Sequence, residues 1–205
     1  MEITDIKMRR FQPAVDAIND LLEDEDYMDE EVLMIAIDGR SGSGKTVLAD
    51  FLAKQFDANV FHMDDFFLQG HQRTEERLSE VGGNVDYERF REEVLIPLWY
   101  GDPVTYRPFN CKTMEIEKDK EHVIKPKRIN IIEGSYSQHP YFGEPYQLRM
   151  FCDIDEESQL ENISARVEDN KEIIEKFRTE WIPKEEEYIK ANELEEKADV
   201  YISWS

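Results

Sequence analysis

The chain has 205 residues, 40% hydrophobic and 11% aromatic, which is enough apolar material to build one globular domain with a real core. It carries 25 Lys+Arg against 47 Asp+Glu, a net charge of −22 with the histidines neutral, and a field of that sign excludes nucleic acid and an anionic membrane surface as main partners. A small phosphate ligand stays open, because the acid gathers at the ends: 11 acidic against 3 basic residues in 1–32 and 16 against 7 in 155–205, with 20 against 15 between them.

In chain order, Pro13 followed by Ala14, Val15, Ile18, Leu21 and Leu22 predicts an amphipathic leading helix over 13–23 with proline in its first turn. Glu23-Asp24-Glu25-Asp26 reads as a solvated stretch, as does Glu185-Glu186-Glu187 near the other end. Residues 32–38 are a continuous apolar run, the pattern of a strand buried on both faces of a parallel sheet. Similar runs follow at 59–63, 128–132, 148–154 and 199–204. Between them lie stretches of helical period at 46–56, 87–100 and 156–191, the last of which Pro183 is expected to interrupt. Strands alternating with helices predict a three-layer α/β domain, and 70–127, with Gly82-Gly83 and Pro103 to Pro108, reads as a helix-plus-hairpin insertion.

Cys111 and Cys152 form no C-x-x-C pair and have no clustered histidines beside them, so a zinc site and a disulfide framework are disfavoured and reduced thiols in a cytoplasm fit. His62, His71, His122 and His139 have no metal or dyad spacing. The start of the chain lacks the basic and apolar regions of a leader, and the longest aliphatic run, 32–37, is too short to span a bilayer, so no membrane partner is expected. A homo-oligomer is left open.

Gly39-Arg40-Ser41-Gly42-Ser43-Gly44-Lys45-Thr46 matches G-x-x-x-x-G-K-[ST] in full. In such a loop the glycines let the backbone curl so that N–H groups point at phosphates. Lys45 neutralises the β and γ oxygens, and the Thr46 hydroxyl is placed for Mg²⁺. An apolar strand feeds the loop and a helix with Val47, Leu48, Phe51 and Leu52 leaves it, which is the context that the motif requires. Glu133 ends one apolar run, and Asp64 and Asp65 end another. Both sets belong at the C-terminal edge of the sheet, where α/β ligands bind. Glu133 could support Mg²⁺, and one of the aspartates could take the proton of an attacking hydroxyl.

These motifs, taken with His62-Met63-Asp64-Asp65-Phe66-Phe67, Gly82-Gly83-Asn84-Val85-Asp86 and Ile131-Ile132-Glu133-Gly134 in that order, resemble the uridine kinase and phosphoribulokinase group of P-loop kinases over most of residues 32–204. The resemblance implies one kinase domain over 1–205 with a five-stranded parallel core, ATP and Mg²⁺ as cofactors, and a small-molecule hydroxyl as acceptor. It implies Asp64 as general base, Glu133 with Thr46 at the metal, and Asp86 at sugar hydroxyls. A lid is implied over 156–178, from which Arg166 closes on the phosphates. Phe67, Arg107 and Phe109 fall on the substrate side.

The sequence departs from true uridine kinases where their pocket reads the pyrimidine: Phe109 and Met114 stand in place of a tyrosine and a histidine and cannot make those hydrogen bonds. The lid offers Arg166 and Arg178 where the family is richer in arginine, and Arg73, Arg77 and Arg107 are candidates to supply the deficit. The expected activity is therefore phosphorylation of a nucleoside or sugar-alcohol-like compound, with pantothenate or another vitamin or sugar as the alternative acceptor. A non-catalytic nucleotide switch is disfavoured, since the one Asn-Lys, in Asn170-Lys171-Glu172-Ile173, lacks the aspartate of a guanine reader. Tyr136, Tyr141, Phe142 and Tyr146 read as packing residues.

Overall fold

The computed structural model describes residues 3–203. The leading helix, α1 (Ile3–Glu23), begins well before the proline that was expected to open it. Pro13 lies within it on the exposed side, where the carbonyl that loses its N–H partner can be hydrated. Phe11, Ala14, Ile18 and Leu21 form its buried stripe.

Next come β1 (Leu33–Gly39), α2 (Lys45–Phe56), β2 (Asn59–His62), the short α3 (Glu75–Ser79) and α4, a continuous helical stretch over 87–100. Four short strands follow, β3 (Val104–Tyr106), β4 (Phe109–Asn110), β5 (Glu115–Ile116) and β6 (His122–Ile124). They form two nested antiparallel pairs, β3 with β6 and β4 with β5, so the predicted hairpin is a double one. The chain then runs through β7 (Ile129–Glu133), β8 (Leu148–Asp153), α5 (Glu156–Arg166), α6 over 171–191, α7 (Leu194–Lys197) and β9 (Val200–Ser203). Trp204, the expected end of the last strand, lies outside the described residues.

The five long strands make one parallel sheet in the order β2-β7-β1-β8-β9. β1 and β7 are buried at every position, which is why they read as unbroken apolar runs. Side-chain alternation divides the core. Leu33, Ile35 and Ile37 face Ile18 of α1 and Leu48 and Leu52 of α2, whereas Met34, Ile132 and Phe151 face the insertion and α6. The expected three-layer α/β fold is the observed one.

Pro183 does not interrupt α6. The turn before it, Phe177–Trp181, is wound as a π-helix, and the same device, Arg91–Leu95, precedes Pro97 in α4. A proline clashes with the carbonyl four residues back and offers no N–H to it. In both helices that residue, Thr179 or Glu93, lies inside the widened turn. No helix is long and apolar enough to cross a membrane among the described residues.

Candidate active site

The register aligns the C-terminal ends of the central strands. Ile37 pairs with Glu133, Glu133 with His62, and Gly39 with Cys152, so the phosphate loop, Glu133 and the segment after His62 share one edge. Gly39, Gly42 and Gly44 have φ of 135°, 79° and 83°. Gly39 is the most constrained, since a Cβ there would lie 2.0 Å from the Cys152 carbonyl oxygen. α2 starts from Gly44 with no side-chain cap and no acid in its first turn, which leaves its N-terminal N–H groups available to an anion. Ser43 Oγ, buried in the loop, has no hydrogen-bond partner.

Lys45 is buried, and its Nζ donates to the carbonyls of Gly39 at 2.7 Å and Arg40 at 2.9 Å and approaches Ser135 Oγ at 3.4 Å. Thr46 Oγ1 donates across to Glu133, 3.3 and 3.4 Å from its two oxygens. On the other side His62 Nδ1 lies 2.5 Å from Glu133 Oε1. That hydrogen bond raises the His62 pKa against the opposing effect of burial, and the charges of Glu133, Asp65 and Asp64 add to the rise.

Asp64 follows β2 in a 3₁₀ turn (Met63–Phe66) and is accessible to solvent. The surrounding protein strips part of its hydration, which pushes its pKa up, and the Glu133 carboxylate pushes it further. Lys45, Arg166 and His62 pull the other way. All four groups are thus close enough to act on one carboxyl. Cys111, on the β4–β5 turn, is exposed, and partial loss of hydration together with the Asp64 and Asp65 charges pushes its thiol pKa up.

The substrate-side residues are distributed less evenly. Phe67 and Phe109 meet edge to face with ring centroids 6.3 Å apart. Asp86 is buried and lines a cavity of about 390 Å³ together with Leu68, Gln72, Arg77 and Glu80. Its own chain engages both carboxyl oxygens: Oδ1 accepts the Arg89 N–H at 3.1 Å and Oδ2 accepts Gln72 Nε2–H at 2.7 Å. Arg107, expected at the substrate, instead pairs with Glu121 at 2.6 Å on a half-exposed part of the hairpin, where both ends of that pair are hydrated. Met114 holds a left-handed φ of 58° in the turn.

Among the arginines, Arg166 ends α5 exposed, 5.3 Å from the Phe177 ring. Arg77 is committed elsewhere: it holds Glu88 at 2.6 and 2.7 Å and stacks 3.7 Å over Tyr87. Arg40 contributes its backbone to the loop, but its guanidinium turns away to Asp153, Glu186 and Glu195, so its side chain is not in the phosphate cradle.

Three residues of the site, Asp38, Ser135 and Glu185, carried no signal on their own. Asp38 is buried, and its carboxylate accepts from the Gly39 N–H at 2.7 Å, the Gln138 N–H at 3.0 Å and the Tyr188 hydroxyl at 2.8 Å. Burial raises its pKa despite these donors and Lys45. Ser135 links Lys45 to Glu185, and Glu185 reaches the loop itself. The run Glu185-Glu186-Glu187 is therefore not one solvated face. The helical turn puts Glu185, Tyr188 and Ile189 inward, aims Glu186 at Arg40 and leaves only Glu187 exposed.

No cluster of three or more His, Cys, Asp or Glu side chains forms a metal cage among the described residues. A Mg²⁺ carried on phosphates needs only one or two protein oxygens, and the Thr46–Glu133 pair beside the loop fits that demand.

No family model matches the sequence, and no curated protein does. Among solved structures, the chain is similar to a possible uridine kinase from Bacillus stearothermophilus, at 22% identity with a TM-score of 0.69, covering 98% of this chain and 100% of that one. It is also similar to a D-glycerate 3-kinase from Cryptococcus neoformans, at 14% identity with a TM-score of 0.62, covering 86% of this chain and 87% of that one. The five-stranded parallel sheet with its flanking helices is the fold of the P-loop kinases.

Proposed function

We propose that the chain is an ATP- and Mg²⁺-dependent kinase that transfers the γ-phosphoryl group to a hydroxyl of a small molecule, nucleoside-like or sugar-alcohol-like. The observation that carries this reading is that the strand register sets a complete phosphate loop, Glu133 in contact with Thr46 and His62, and the turn bearing Asp64 at one edge of the sheet. The kinase names of the two structural neighbours agree with it.

In this reading the loop amides and Lys45 bind the phosphates. The acceptor oxygen attacks the γ-phosphorus as its proton passes to an Asp64 oxygen, and the bond from that phosphorus to the β–γ bridging oxygen breaks, releasing ADP. Lys45, released from the Gly39 and Arg40 carbonyls, follows the charge that builds on the transferring group, and Arg166 meets it from the lid. Thr46 and Glu133 would hold Mg²⁺, which would supply charge neutralisation on the phosphate oxygens. Phe67 and Phe109 give the acceptor an apolar wall, and Asp86, by exchanging Gln72, offers it a hydroxyl partner. The unpaired Cys111 and Cys152 fit a cytoplasmic protein.

The test is acceptor-dependent ADP release from ATP across nucleosides, sugar alcohols, pantothenate and other vitamin alcohols. We expect at least one acceptor to support release, and Lys45→Ala to abolish it. Binding of nucleotide with no turnover on any acceptor would favour a switch instead.

A further inference from the structure

Glu185 is 3% exposed on the inner face of α6. Its Oε2 accepts the Ser41 backbone N–H at 2.8 Å, and its Oε1 accepts the hydroxyls of Ser41 at 2.8 Å and Ser135 at 2.5 Å. Ser41 belongs to the phosphate loop, and the Ser135 hydroxyl that bonds Glu185 lies 3.4 Å from Lys45 Nζ. We propose that Glu185 is an internal competitor for the phosphate loop, its carboxylate standing in the loop where the terminal phosphates of a nucleotide must enter.

Three observations carry this. Carboxylate and phosphate are both acceptor-only anions, so one backbone N–H cannot serve both at full strength. The contact lies one hydroxyl away from the Lys45 ammonium, through Ser135, and in this type of loop the lysine reaches the β and γ phosphates. A buried carboxylate also repels an arriving triphosphate far more than a hydrated one such as Glu187 does.

The helix itself is fixed. Tyr188 is fully buried and donates to Asp38 at 2.8 Å, and Glu186 holds Arg40 at 2.6 and 3.0 Å. Displacement therefore falls to the Glu185 side chain, which swings off Ser41 and Ser135 and frees both for the incoming phosphates. In the nucleotide-free protein the same contacts keep the loop in shape.

The inference rests on reading the loop as a nucleotide site, and calorimetry with Mg–ATP separates the two. Wild type is compared with Glu185→Gln, which keeps the shape and removes the charge, and with Glu185→Asp, which keeps the charge and withdraws it by one methylene. We expect Glu185→Gln to bind Mg–ATP about tenfold or more tightly than wild type while its nucleotide-free Tm falls. Glu185→Asp, the readout should the glutamine variant not fold, should show a smaller gain. Wild-type binding with no gain, or a loss, in the folded variants would overturn the role of Glu185 alone. Failure of wild type and variants alike to bind Mg–ATP would overturn the nucleotide reading of the loop, and the inference with it.

Discussion

Gly39 carries the tightest steric requirement in the site. Its φ of 135° suits glycine alone, and the β1–β8 register brings the Cys152 carbonyl to where a Cβ would stand. Gly39→Ala should therefore cost stability on the order of 3 kcal/mol or more and weaken nucleotide binding, checked by urea denaturation and calorimetry. Asp64 imposes a different signature. A base must be deprotonated to act, and the partial loss of hydration against the surrounding protein, with Glu133 beside it, holds this solvent-accessible carboxyl above the ordinary 3.8, so kcat should fall with decreasing pH at a value higher than that of a free aspartate. The loop residues were legible in the sequence because eight consecutive positions spell them out. Glu185 and His62 were not, because their partners lie 144 and 71 residues away and only the fold brings them together. Arg107 carried a sequence signal of position only, and its pairing with Glu121 across the hairpin could not be read because the partner lies 14 residues on.

Among the elements, the strands were the most legible, since burial on both faces leaves an unbroken apolar run. Helix ends were less so. Pro13 and Pro183 both lie inside helices, one because its freed carbonyl faces water, the other because a π turn makes room for the ring. The stripe on α1 seals one side of the sheet, and Ile18→Ala should cost about 2–5 kcal/mol in urea denaturation. On the other side His139 stacks 4.4 Å from the Tyr87 ring and nearly parallel to Tyr188 at 6.2 Å, joining α4 to α6. Burial lowers its pKa from 6.5 to about 4, so the folded state keeps it neutral where the unfolded chain takes a proton. Its contribution to stability is present above about 6.5 and is lost as pH falls toward about 4. His139→Phe should flatten the decline of the urea midpoint across that window.

At the scale of the whole molecule, the net charge of −22 sets the terms on which a nucleotide is bound. The site brings Asp64, Asp65, Glu133 and Glu185 near the phosphate loop, inside a chain whose overall field is negative. ATP should therefore bind about tenfold or more weakly when Mg²⁺ is chelated, which calorimetry with and without a chelator measures. The most direct test of phosphoryl transfer from this site is Asp64→Asn, assayed for Mg–ATP binding and for ADP release with an acceptor that wild type accepts. Binding close to wild type with turnover abolished is the predicted result, and turnover at the wild-type rate would contradict it.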